Sequence, residues 1–184
     1  CLDTQGGAAV ASQRFAIVAG SLESGEAATV QIWIGSERIC GGSLVAPRVV
    51  LTAKHCLTRD GFTVGFGPRG TDNLVAIAQI LWAPNRGGFL WQDEDLALGI
   101  LEAPVDTVPP YPVPWTGDAL AIGDPVRLVG YGDTERGFGG VKYSTTDTVF
   151  AVSTYEFRAE GNGACTGDSG GPAIAADGSV VGVI

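Results

Sequence analysis

The sequence has little charge, few aromatic residues and no methionine. Charged residues make up 17% of the 184 residues and aromatic residues 8%, whereas hydrophobic residues make up 45%. This composition is too apolar for an intrinsically disordered chain. We therefore expect a packed core in one domain, or in two small subdomains that share an interface. Because methionine is absent, we expect that Cys1 is not the translation start and that residues before it have been removed.

Basic residues and long apolar runs are scarce as well. Lys and Arg number 11 against 20 Asp and Glu, which gives a formal net charge of −9. Affinity for phosphates comes mainly from Lys and Arg, so the sequence argues against a nucleic-acid partner. No apolar run approaches the about 18 residues of a membrane span, so no transmembrane segment is predicted.

Ligands for zinc are few. His55 is the sole histidine, and the cysteines at 1, 40, 56 and 165 form no C-x-x-C pair. We therefore predict no metal site, and no cofactor is implied. Cys40 and Cys56 flank two predicted strands that can lie side by side. A bridge there would contribute about 3 kcal/mol in the chain-entropy model and indicate an oxidising compartment, whereas the alternative is two buried free thiols.

The abundant residue is glycine, and the pattern around it predicts an all-β protein. The chain has 28 glycines without a repeating period. Short β-branched and aromatic runs alternate with Gly, Pro, Asn and Asp, and no long stretch shows helical periodicity. The predicted strands cover residues 30–34, 42–45, 49–53, 62–66, 75–82, 96–101, 126–131, 149–157, 173–175 and 180–183.

Two segments between these strands have a distinct composition. Asp177-Gly178 suits the positive φ values of a tight hairpin turn and would join the last two strands. Residues 109–114 contain four prolines, which cannot supply a regular strand ladder because each lacks an N–H. We interpret 109–114 as an extended linker between two β subdomains.

A candidate nucleophile, Ser169, lies in the stretch GDSGGP at 167–172. A serine hydroxyl needs a neighbouring base, and its carbonyl target needs N–H donors for the developing oxyanion. The same stretch satisfies the nucleophile elbow of the α/β-hydrolases, in which the acid and the histidine follow the serine. No histidine follows Ser169, and His55 precedes it. This order excludes the elbow and requires the histidine first and the serine last.

Five segments resemble the chymotrypsin-like (trypsin-fold) serine proteases, in that family's order. They are CGGSLV at 40–45, LTAKHC at 51–56, DLAL at 95–98, GYG at 130–132 and the stretch 163–172, and the resemblance extends from about Ile17 to the end. It implies two antiparallel six-stranded β-barrels, with residues 17–108 as the first, the linker 109–114, and residues 115–184 as the second.

The resemblance also assigns the catalytic groups. It implies that His55 is the general base, that Ser169 is the nucleophile that forms an acyl-enzyme, and that Asp95 orients His55. Asp93 and Glu94 are rival carboxylates, but only Asp95 stands directly before Leu-Ala-Leu.

Two further features follow from the same resemblance. The N–H groups of Gly167 and Ser169 would form the oxyanion hole. Cys40 and Cys56 match the disulfide with which the family holds its histidine loop.

Residues 17–20 (IVAG) resemble the family's activation terminus. Cleavage before Ile17 would free an α-amine that pairs with the carboxylate of Asp168, so residues 1–16 would be a propeptide, or an N-terminal extension. The alternative is that Ile17 simply begins the first apolar patch. The family's activation bond follows Arg or Lys, whereas Ala16 precedes Ile17 here, so we hypothesise cleavage after Ala16.

The specificity pocket departs from that of a trypsin-like enzyme. Gly163, six residues before Ser169, is the residue that the resemblance places at the base of the pocket, and Ala164 follows it. Without a carboxylate there, we expect a neutral or apolar P1 residue rather than a basic one. Lys54 also departs from the family, since it replaces a small residue.

The family pattern continues beyond Ile184, with another strand, a cysteine to pair with Cys165 and a C-terminal helix. We therefore expect the second barrel to be incomplete, and a C-terminal remainder or a second chain to complete it. Cys1 either pairs with Cys165, or is the lipid-anchored first residue of a bacterial lipoprotein, or marks a boundary of the chain.

Taken together, these residues indicate a secreted, extracellular or periplasmic serine endopeptidase that acts on protein or peptide substrates and is made as a zymogen. The alternative is a catalytically silent protease homologue that serves as a binding module.

Overall fold

A computed structural model describes residues 20–84, 95–114, 120–133, 139–153, 156–160 and 164–184. These residues form twelve β-strands and one short 3-10 helix, Lys54–Cys56, so the predicted all-β class is confirmed. The strands are β1 (Ser21–Leu22), β2 (Thr29–Ile34), β3 (Glu37–Ala46), β4 (Val49–Thr52), β5 (Phe62–Phe66), β6 (Asp72–Trp82), β7 (Ala97–Leu101), β8 (Pro125–Gly130), β9 (Tyr143–Val152), β10 (Phe157–Glu160), β11 (Pro172–Ile174) and β12 (Val180–Val183). No helix among the described residues is long and apolar enough to cross a membrane.

Strands β2 to β7 close into a barrel in the order β2-β3-β4-β7-β6-β5, and all neighbouring pairs are antiparallel. Alternate side chains point inward, and Val30, Ile32 and Leu44 are completely buried. Burial of each such side chain contributes about 1.5–3 kcal/mol. Gly42 lets the strands approach closely, since a Cβ there would lie 2.8 Å from Val50 Cγ1.

The remaining strands form a second antiparallel sheet in the order β1-β9-β8-β11-β12, with β10 paired to β9. Its smaller core contains Val126, Leu128, Val149 and Ala173. Within the described residues this sheet is open, with β12 at one edge, which is compatible with the predicted incomplete second barrel.

The proline-rich stretch packs along both sheets instead of forming a strand. The Tyr111 N–H donates to the Leu44 carbonyl at 2.9 Å, and the Pro112 carbonyl accepts from the Val180 N–H at 2.9 Å. Val108 and Tyr111 are buried. The connection between the two sheets is therefore held by its own contacts.

Most of the predicted strands are confirmed to within a few residues, and those at 62–66 and 180–183 have the observed bounds. The hairpin between β11 and β12 is confirmed, with Gly178 at φ +85°. The single strand predicted at 149–157 is wrong. The Ser153 N–H donates to the Glu156 carbonyl, which closes a turn, and Phe157 then pairs back with Val152.

The disulfide between Cys40 and Cys56 is confirmed, and it joins β3 to the 3-10 helix. Cys165 is also disulfide-bonded. The alternatives for Cys1 and the proposed extension 1–16 lie outside the described residues.

Candidate active site

His55 is held by the segment that follows β4. The 3-10 helix that carries it is fixed at Cys56 by the disulfide to Cys40, and the Lys54 N–H donates to the Asp95 carbonyl at 3.1 Å. The His55 side chain is 54% exposed, so its ring remains open to a ligand or substrate.

Asp95, directly before β7, holds His55 at two points. Its Oδ2 lies 2.6 Å from His55 Nδ1, and its Oδ1 accepts from the His55 backbone N–H at 2.9 Å. Since a carboxylate only accepts, Nδ1 carries a proton, and in the neutral imidazole Nε2 is then the nitrogen with the lone pair. Burial opposes ionisation of Asp95, but the hydrogen bonds from His55 outweigh it and hold the pKa of Asp95 below its usual value.

The loop that carries Ser169 packs on the same segment. The Ser169 carbonyl accepts from the Gly41 N–H at 2.8 Å and lies 3.7 Å from Cys56 Sγ. Both sides of this contact favour glycine. A Cβ at Gly170 would lie 2.5 Å from the Gly41 carbonyl oxygen, and one at Gly41 would lie 3.0 Å from Gly171 Cα.

The structure thus places the Ser169 backbone beside the histidine segment, with the serine side chain partly accessible. Among the described residues, no hydrogen bond joins the Ser169 hydroxyl to His55. Catalytic hydrogen bonds are often long in the absence of substrate, so this geometry is compatible with a nucleophile and base pair.

Gly167 adopts φ +94°, a left-handed conformation that favours glycine. Neither the Gly167 N–H nor the Ser169 N–H has a hydrogen-bond acceptor within the described part of the chain. Backbone donors without an internal partner are what an oxyanion site needs.

Asp168 is completely buried beneath this loop. Its Oδ1 accepts from the Gly132 N–H at 2.7 Å and its Oδ2 from the Cys165 N–H at 2.9 Å. Burial raises the pKa of Asp168 to about 6, although these two hydrogen bonds act in the opposite direction. Ile17, its predicted activation partner, lies outside the described residues.

The glycines of the GYG segment give Asp168 its space. A Cβ at Gly130 would lie 2.8 Å from Asp168 Cγ, and one at Gly132 would lie 2.6 Å from the same atom. From the sequence this segment was recognised only as a family motif. Its packing around the Asp168 carboxylate was not predicted. The signal was the pair of glycines around one aromatic residue.

The predicted specificity pocket lies only partly within the described residues. Ala164 is half-buried, whereas Gly163 lies outside the described residues, as do the rival carboxylates Asp93 and Glu94.

Side-chain atoms of Cys40, His55 and Cys56 lie within 4.8 Å of one another. The sulfurs of Cys40 and Cys56 are bonded to each other and are not thiolates. This cluster therefore offers a metal only one imidazole.

A closed six-stranded barrel whose loops carry His55 and Asp95, and a second antiparallel sheet with Ser169 on the loop before β11, define a two-sheet β protein. The model of the trypsin family matches residues 13–184. The chain therefore belongs to the trypsin family, as the sequence motifs predicted.

Curated relatives are about three tenths identical to this chain over the aligned residues. A tryptase of Mus musculus is 31% identical over 173 residues, covering 73% of this chain and 63% of its own length. A vitellin-degrading protease of Bombyx mori is 27% identical over 176 residues, covering 79% and 65%. Trypsin 5G1 of Aedes aegypti is 28% identical over 178 residues, covering 82% and 66%. The chain thus spans slightly less than two thirds of each relative.

Solved structures agree on the fold. Human heparin binding protein superposes with a TM-score of 0.78 at 20% identity, covering 91% of this chain and 83% of its own. Neuropsin, a serine protease of mouse brain, superposes with a TM-score of 0.73 at 22% identity, covering 86% and 81%. At these identities the likeness concerns the fold alone.

The burial of Asp168 predicts a specific dependence of stability on pH. Its folded pKa of about 6 lies above the ordinary 3.8, so between these values the folded state holds a proton that the unfolded state has lost. Stability therefore falls as the pH rises through this window. Relative to Asp168→Asn, the free energy of unfolding of the wild type should fall by up to about 3 kcal/mol.

Urea denaturation of both proteins at pH 4 and pH 6.5 measures this difference. A constant difference between wild type and Asp168→Asn at the two pH values would contradict the prediction.

Proposed function

We propose that this protein is a serine endopeptidase that hydrolyses peptide bonds of protein or peptide substrates through an acyl-enzyme. The observation that carries the proposal is the double contact of Asp95 with His55, on the segment against which the Ser169 loop packs. Membership of the trypsin family and the curated proteases among the relatives support it.

In the proposed mechanism, His55 Nε2 takes the proton of the Ser169 hydroxyl while the oxygen attacks the substrate carbonyl. Asp95 keeps the proton on Nδ1 and stabilises the imidazolium that forms. Proton transfer by a positioned base of this kind contributes about 10²–10⁴-fold to the rate.

The N–H groups of Gly167 and Ser169 bind the oxyanion of the tetrahedral intermediate. One such donor contributes about 10²–10³-fold to kcat. The imidazolium then protonates the leaving amine, and water, deprotonated by His55, hydrolyses the acyl-enzyme and regenerates the serine hydroxyl.

We propose further that the protein is made as a zymogen. Cleavage after Ala16 frees the α-amine of Ile17, which pairs with the carboxylate of Asp168. The two N–H donors to Asp168 lower its pKa, but by less than burial raises it. A cation nearby would therefore stabilise the ionised form further. Residues 1–16 are then the propeptide.

The proposed substrate preference is a neutral or apolar P1 residue, because Gly163 and Ala164 bring no carboxylate to the base of the pocket. A basic P1 side chain would find no carboxylate to pair with there, which disfavours cleavage after Lys or Arg.

We infer that the protein is exported, since structural disulfides such as Cys40–Cys56 are typical of oxidising compartments. The domain bounds 17–108 and 115–184, the C-terminal remainder or second chain and the lipid anchor at Cys1 stay predictions from the sequence.

The alternative, a catalytically silent homologue that serves as a binding module, is less favoured. Silent homologues often lose a member of the triad, whereas His55, Asp95 and Ser169 are all present.

A fluorophosphonate probe tests the catalytic proposal. The Ser169 oxygen should bond to phosphorus, fluoride should leave, and His55 should accept the hydroxyl proton. Labelling, read by intact mass, should be lost in Ser169→Ala and fall by about 10²-fold or more in His55→Ala. Ser153→Ala, which removes a serine from the turn after β9, is the matched control and should label normally. If the wild type is not labelled even after cleavage before Ile17, the proposed endopeptidase activity is contradicted and the binding module is favoured.

A peptide library with a randomised P1 position tests the specificity. We expect higher kcat/KM for neutral P1 residues than for Arg or Lys, and we expect Gly163→Asp to shift the preference towards Arg and Lys, because it introduces a carboxylate. Wild-type cleavage mainly after Arg would contradict the assignment.

The amino terminus of the active material tests the activation step. Mass spectrometry of probe-labelled protein should find a mature chain that begins at Ile17. The unprocessed chain should label more slowly. A mature terminus at another residue removes the proposed pairing with Asp168.

A further inference from the structure

Lys142 is buried although the proposed reaction does not use it. It lies directly before β9 and is 2% exposed. Its backbone N–H donates to the Pro68 carbonyl at 2.8 Å, and its own carbonyl accepts from the Glu23 N–H at 3.0 Å. An ammonium group is costly to bury, and burial accordingly lowers the pKa of Lys142 to about 8, against the opposing effect of Glu23.

The ammonium group is held between two partners. Nζ donates to the Glu26 carbonyl at 2.5 Å, and it lies 5.7 Å from the centroid of the Tyr131 ring. That separation is within the range of cation–π attraction. The side chain of Lys142 therefore ties the face of Tyr131 to the segment that precedes β2.

Tyr131 in turn reaches the first barrel. Its hydroxyl lies 3.0 Å from the Thr29 carbonyl oxygen and 2.8 Å from the Gly67 carbonyl oxygen, and its single proton is shared between them. The residue is 2% exposed. Both the ring face and the hydroxyl of Tyr131 thus have fixed partners.

The backbone of Tyr131 connects these contacts to the catalytic loop. It lies between Gly130 and Gly132, the two glycines that leave space for the Asp168 carboxylate. The Gly132 N–H donates directly to Asp168. A displacement of Tyr131 would therefore move the cradle of Asp168, and with it the adjoining Ser169.

We propose that Lys142 and Tyr131 are positioning residues that form a strut between the first barrel and the Asp168–Ser169 turn. This inference rests on the proposed function, because the effect of the strut is measured as the reactivity of Ser169. Neither residue touches the substrate. A misplacement of about 1 Å can cost about 100-fold in rate, so a small movement of this turn is enough to be detected.

Acidic groups face Lys142 from several elements. Glu23 comes from the segment before β2, and Asp72 comes from the start of β6. Glu26 contacts Lys142 through its backbone carbonyl rather than its carboxylate. Glu23 and Asp72 line, together with Lys142, a cavity of about 210 Å³. Arg127 of β8 pairs with both glutamates. Loss of the Lys142 proton removes the cation–π attraction and weakens the bond to Glu26.

The test compares fluorophosphonate labelling rates of the full chain and its variants. Lys142→Met keeps the apolar stem without the charge, and its labelling should be about tenfold slower or more. Its stability at pH 7 should not fall, because the desolvated ammonium is gone. Lys142→Arg restores the cation, for which the neighbouring cavity has room, and should recover most of the rate.

Activity and stability should respond to pH in opposite directions. The wild-type labelling rate should fall with a midpoint near pH 8, where Lys142 loses its proton, and Lys142→Met should lack this step. The stability of the wild type relative to Lys142→Met should rise from about pH 8 to 10.5, because only the unfolded state then still binds the proton. A residue with a merely structural role would change both quantities together.

Tyr131→Phe keeps the ring and removes the bonds to Thr29 and Gly67, and it should slow labelling severalfold. Arg158→Met, which removes an exposed cation on β10, is the control and should label at the wild-type rate. If the wild type is labelled and Lys142→Met is labelled at the same rate and with the same pH profile, the proposed strut is overturned but the proposed function is not. If Lys142→Met fails to fold, a normal rate in Tyr131→Phe overturns it instead. A wild type that is never labelled overturns the proposed function itself.

Discussion

The candidate site depends on one backbone contact between the two sheets. The Gly41 N–H donates to the Ser169 carbonyl, and a Cβ at Gly41 or at Gly170 would collide with the opposite backbone. A bond between backbone atoms holds its partners independently of side-chain rotamers. It fixes the separation of β3 from the loop before β11, and the disulfide carries that constraint to the histidine segment. The Ser169 backbone therefore lies beside the segment that carries His55 without either side chain having to hold the sheets together.

The turn that presents Ser169 to the surface also places its neighbour in the interior. Asp168 is completely buried, and its carboxylate depends on two backbone N–H groups, one from Gly132 and one from Cys165, three residues before it. A buried carboxylate with neutral donors alone remains poorly stabilised, which is why its pKa is raised. Asp168 and the N–H groups of Gly167 and Ser169 share one short loop, so any group that moves Asp168 also moves the N–H groups beside it.

Much of this arrangement could be predicted from the sequence because its signals are local. The residues of the proposed triad and the paired cysteines lie in short segments with recognisable neighbours, and most strands follow from runs of β-branched residues. The break between β9 and β10 could not be predicted, since no Gly, Pro, Asn or Asp interrupts residues 149–157 at the turn that Ser153 and Glu156 close. The family resemblance located the GYG segment, but its fit to Asp168 depends on a contact across 36 residues.

Lys142 illustrates a limit of a different kind. Nothing around it in the sequence distinguishes it from an exposed lysine at the start of a strand, because its partner Glu26 is 116 positions away. An apolar side chain of the same length would avoid the cost of burying an ammonium group, but apolar packing has no direction. A hydrogen bond to one carbonyl and an approach to one ring face do have direction. Where a turn must be held to a fraction of an ångström, a directional contact that lowers stability can still be the better solution.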